Sequence, residues 1–196
     1  MQCAPLALCL AVLAGCDTTF PWTSGSTGGG GGGGVGPTGP TAPPSTAALK
    51  LNSDSSRASF RNTRAAFNNA GQGVIVWEEL TGLSVRVMWT YFDGATLHPE
   101  AELASYAGQP AVATNGTDFM LVWNYGRIYA APCTNSGVLG TPDAIRDWNA
   151  DAPDVASNKS GYAVAWRKYD GPTGQQRIFA NMYSASTWAT ETLVDT

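Results

Sequence analysis

Residues able to do chemistry are few and scattered in this chain. The only histidine is His98, in Leu97-His98-Pro99-Glu100. An imidazole is the usual proton carrier near neutral pH, and a cysteine nucleophile would need it as a base. Of the four cysteines, three fall within the first sixteen residues and only Cys133 lies further on. Cys133 sits in an apolar stretch and His98 in a proline-containing turn, so no nucleophile–base pair or metal-ligand spacing can be read. Cys133 is expected to be a small buried apolar side chain. Glu78 and Glu79 are adjacent, and neighbours on a strand point to opposite faces, which makes them a poor acid–base pair. They are expected to be solvated charges at a strand end. Arg86, Arg127 and Arg177 each open an apolar run, and Trp148 stands in Arg146-Asp147-Trp148-Asn149. Arginines that repeat in one column are expected chiefly to bind neighbouring carbonyls or carboxylates; because arginines and an exposed indole also suit anion or sugar contacts, Trp148, Arg86, Arg127 and Arg177 are the candidate ligand surface. No catalytic, cofactor-binding or metal-binding residue is assigned.

These residues sit in a chain made of three materials. It has 196 residues, 23 Gly, 12 Pro and a formal net charge of −4. That balance lacks the basic footprint of a nucleic-acid binder. Residues 1–16 are almost purely apolar, but the run is shorter than the roughly 18 residues a spanning helix needs. Residues 17–49 carry one charge, Asp17, with the unbroken Gly28–Gly34 run and Pro43-Pro44. Such a composition cannot bury enough apolar area to offset chain entropy, so a flexible linker is expected. As a Gly-rich coil it would reach roughly 30 Å. Residues 50–196 hold almost all the charges, a common size for one domain.

The apolar start ends in Leu13-Ala14-Gly15-Cys16. This resembles the lipobox of bacterial lipoproteins, although Met1-Gln2-Cys3 lacks the usual basic residue. The resemblance implies a signal peptide over 1–15, cleavage before Cys16 and acylation of Cys16. It further implies a bacterial cell-envelope protein, periplasmic or at the cell surface, anchored to a membrane through acyl chains on Cys16.

The domain is one unit written three times. Trp77, Trp123 and Trp166 each end an apolar run, spaced 46 and 43 residues apart. Asn69, Asn115 and Asn158 share one column, as do Gly73, Phe119 and Tyr162, and the three arginines form another. The repeats are bounded at about 51–103, 104–145 and 146–194, and each reads as four strands. Ala111–Ala113 and Phe119–Trp123 form an expected hairpin around Asn115-Gly116. Arg127–Ala131 supplies a third strand and the Ile145 region a fourth. Phe119, Leu121 and Trp123 point to one face and Met120 and Val122 to the other. A strand apolar on both faces must be covered on both.

The run ending in Val/Ala-Trp after an Asn turn resembles β-propeller repeats of bacterial envelope lipoproteins. The resemblance covers about 51–194 and implies an all-β, partial or open propeller-like fold. Three units fall short of the roughly four to eight blades that close a ring. Self-association could complete it, the chain could be a truncated fragment, or the fold could be a β-trefoil or β-prism. The expected role is a non-catalytic binding or scaffold module for an envelope protein or glycan. The alternative is a sialidase-like glycoside hydrolase, since sialidase propellers bind a carboxylate with several arginines. Asp93-Gly94-Ala95-Thr96 and Ser186-Thr187-Trp188 resemble parts of the sialidase Asp-box, and neither contains all of it.

Overall fold

The computed structural model describes residues 58–146, 148–171 and 174–195. Cys16, the expected signal peptide and the expected linker lie outside the described residues. The described chain is all strand and turn, arranged as three antiparallel sheets, none closed on itself. The first contains β1 (Ala58–Phe67), β2 (Gly73–Thr81), β3 (Ser84–Phe92) and β4 (Ala101–Ser105), in that order. The second contains β5 (Gly108–Thr114), β6 (Phe119–Asn124), β7 (Ile128–Cys133) and β8 (Asp143–Arg146), also in order. The third contains β9 (Ala150–Ser157), β10 (Tyr162–Asp170), β11 (Gln175–Ser184), β12 (Thr187–Trp188) and β13 (Thr192–Leu193). Among the described residues every sheet pairs only within itself, unlike a trefoil, whose units share a barrel.

The third sheet departs from the four-strand expectation. Its outer position is divided between β12 and β13, both paired with β11. Ala185 and Ser186 have φ of 48° and 63°, the two left-handed residues of a tight hairpin turn. That turn brings Thr187–Trp188 straight back onto β11. The chain then leaves and rejoins at Thr192–Leu193.

Asparagine side chains shape the turns after the first strand of each sheet. The Asn115 Oδ1 accepts from the amides of Thr117 and Asp118, and that of Asn158 from Ser160 and Gly161. The first sheet corrects the expected column. There Asn68, not Asn69, accepts from Ala70 and Gln72, because that turn is longer by one residue. Asn69 instead donates its amide to the Gly116 carbonyl in the second sheet.

Packing follows the alternation along β6. Phe119, Leu121 and Trp123 join Val74, Val76, Val87 and Tyr91 in a core between the first and second sheets. Met120 and Val122 join Tyr162, Val164 and Trp166 in a core between the second and third. All five β6 side chains are buried, as their two-faced apolar character requires. Trp123 and Trp166 therefore fill spaces between sheets. Trp77 is also buried, on the face of the first sheet away from the second.

The first strands of the three sheets lie side by side, β1 against β5 and β5 against β9. Each carries a register shift at the same place, beside Asn62, Gln109 and Ala152. All three have φ near 50–55°. None is glycine, so each bulge is held by its surroundings.

Candidate ligand-binding surface

The bulges are tied together by side chains. The Glu78 carboxylate accepts from Asn62 Nδ2 at 2.8 Å, from Arg61 Nε and from the amide of Gln109. Gln109 Oε1 in turn accepts from the amide of Ala152 at 2.9 Å. Burial alone would raise the Glu78 carboxyl. The Gln109 amide, Asn62 and Arg61 outweigh it and hold the group below its ordinary pKa. Glu78 is thus a structural anion that joins the first sheet to the second.

This corrects the expectation of solvated strand-end charges, because Glu78 and Glu79 are both buried. Strand β2 runs on to Thr81, so the pair lies within the sheet. The two do point opposite ways. Glu78 meets Gln109, whereas Glu79 Oε1 accepts from Arg86 Nη2 at 2.9 Å.

Beside these bulges is a cleft of about 250 Å³, lined by residues including Arg61, Tyr106, Gln109 and Asn124. Asn124 opens the β6–β7 turn. Its Nδ2 donates to the Ala150 carbonyl at 2.7 Å, and its Oδ1 accepts from the Gly126 amide at 2.8 Å. The turn is thereby fixed to the third sheet. Gly126 has φ of +65°, and a Cβ there would fall 2.5 Å from the Trp148 ring. Only glycine meets both demands. The indole rests on this turn with the Arg127 guanidinium 4.6 Å from its ring centroid. Trp148 remains 57% exposed, and Tyr125 in the same turn is 46% exposed. Tyr125 lies 6.4 Å from Tyr129, which stacks on buried Trp123 at 5.8 Å. An exposed aromatic surface is therefore backed by a rigid core.

Two of the four expected surface residues come together here, Trp148 and Arg127. The other arginines do not join them. Arg86 bridges Glu79 and Glu102. Arg177 donates to the Asp195 carbonyl at 2.7 Å and pairs with its carboxylate at 3.2 Å. Their shared column places each in its own sheet, so the three guanidinium groups do not converge on one anion.

A second cleft, of about 240 Å³, is lined by Trp89, Tyr91, His98, Ser136 and neighbouring residues. His98 Nε2 lies 3.2 Å from Asp93 Oδ2. The amides of Thr96 and Ala95 bond Asp93 and, with His98, hold its carboxyl below its ordinary pKa. The sequence signal for this pair is the Asp-Gly turn, which folds position 98 back onto 93. Ser136 shares its hydroxyl with Thr134 at 2.9 Å. Cys133 is fully buried and its thiol is pushed up to about 11, chiefly by burial, so it is not a thiolate near neutral pH.

No protein-family model matches the chain, and no curated protein matches it.

Proposed function

We propose that the chain is a lipid-anchored protein of the bacterial cell envelope whose β domain is a non-catalytic binding module. The ligand class is a glycan of the envelope, taken on the Trp148 surface. The observation that carries this reading is the 57% exposed indole of Trp148, packed beside Gly126 and Arg127. A sugar ring places its apolar C–H face on an indole, while a neighbouring guanidinium donates to its oxygens. A propeller-like arrangement belongs to the same proposal. It is supported by the adjacency of β1, β5 and β9, the strands that would line an axis. The dispersal of Arg86, Arg127 and Arg177 favours binding over a sialidase-like reaction, which would need them around one carboxylate.

Binding to purified envelope glycans tests the ligand. Trp148→Ala should weaken it about tenfold or more, whereas Arg177→Ala should not. Equal binding by both variants would overturn the reading. Mass spectrometry of the mature protein tests the anchor, and a terminus other than acylated Cys16 would sink it.

A further inference from the structure

We infer that the cleft beside the bulges is a binding site for a sugar acid, with Arg61 taking the carboxylate and Tyr106 the ring. Two arginines of this fold make the contrast that carries it. Arg167 gives Nε and Nη2 together to Asp151, at 2.8 and 2.7 Å. Arg61 gives only Nε to Glu78, whose other oxygen is taken by Asn62 and the Gln109 amide. The two Nη nitrogens of Arg61 have no partner among the described residues, and its side chain is 55% exposed at the cleft. Such a terminal pair of N–H donors matches the two oxygens of a carboxylate. The guanidinium is anchored on a buried carboxylate, so little freedom is lost when it takes a ligand. Gly108, also in the cleft wall, leaves room for that anchor, since a Cβ there would fall 2.9 Å from Glu78 Oε1.

Tyr106 is the second, independent observation. Its φ is 54°, a left-handed backbone that a bulky side chain rarely adopts. The residue lines the cleft and is 72% exposed, so little packing within the domain offsets that strain. Glycine would hold the same backbone without it. The ring is explained by what it meets from outside the chain. A tyrosine ring beside a guanidinium suits a sugar that carries a carboxylate. The cleft, at about 250 Å³, takes one ring, being smaller than the roughly 300–1,000 Å³ of sites for larger ligands. Phosphate fits less well, because Arg61 and Glu78 together are neutral and a dianion would be repelled by the Glu78 carboxylate. The inference goes beyond the glycan reading of Trp148 and does not rest on it.

Titration of the full chain with glucuronate, followed in ¹H–¹⁵N spectra, tests it. The amides of Gly108 and Gln109 should shift saturably. Glucose, which lacks the carboxylate, and inorganic phosphate should each bind at least about tenfold more weakly. Tyr106→Ala should weaken glucuronate about fivefold. Arg61→Lys keeps a charge against Glu78 but loses the planar fork, and should weaken it about tenfold. Arg177→Ala, outside the cleft, should leave it unchanged. Shifts confined to the Trp148 indole would overturn this inference and leave the glycan reading standing. Cleft shifts, with envelope-glycan binding undiminished in Trp148→Ala, would do the reverse. Equal binding of glucose or phosphate, no saturable shift at the cleft, or unchanged binding in a folded Tyr106→Ala variant would also sink the inference.

Discussion

At the scale of single residues, the decisive group is Glu78. Its carboxylate satisfies donors from β1 and from the bulge of β5, so it holds two sheets at a place where the backbone is strained. Glu78→Gln keeps the shape but removes the charge that faces Arg61. A loss of about 2–4 kcal/mol in denaturant unfolding is expected. The folded pKa is depressed, so the stabilisation is complete above the unfolded value of about 4.3 and fades as pH falls through the folded one. Acid unfolding of the two proteins should therefore converge at low pH, and a constant gap would show that charge is not the cause. Cys133 gives a second test at this scale. Buried and protonated, it should resist alkylation at neutral pH in the native protein and react when the chain is unfolded in denaturant.

Among the elements, β6 and β10 carry the same repeat pattern but meet different surroundings. Both carry Trp as their fifth residue, and up to it both alternate apolar residues on two faces. Strand β6 lies in the middle sheet and is covered twice, whereas β10 is covered only on the Tyr162, Val164 and Trp166 side. Val122→Asp should cost more than about 3 kcal/mol by burying an unpaired charge. Ala165→Asp, at the matching column, should cost no more than about 1 kcal/mol. Equal losses in thermal unfolding would contradict the assigned faces. The hairpins were legible locally, because Asn115-Gly116 and the β6 alternation each need only a few residues to read. The Asn68 substitution for Asn69 was not, because column alignment assumes turns of equal length.

For the whole molecule, order in the sequence becomes order in space. Each sheet is made from consecutive strands and packs on the sheet that follows it, so two cores run through the described domain instead of one. The middle sheet contributes to both. Amides of β6 should consequently be the slowest to exchange with deuterium, and those of β12 and β13 among the fastest. Faster exchange in β6 than in β2 or β10 would mean that the two cores do not depend on the shared sheet.

The sequence by itself determined the strand-rich repeat, its period, the Asn115-Gly116 hairpin and the need of β6 for cover on both faces. Those properties arise from alternation and turn chemistry within a dozen residues. Tertiary structure alone decided that Glu78 is buried, that Arg127 meets Trp148 while Arg86 and Arg177 turn to their own sheets, and that the Ala163–Ala165 face stands open. Each of these depends on which neighbouring sheet lies opposite. Local alternation shows that a face can accept a partner, but only the assembled stack shows whether one is there.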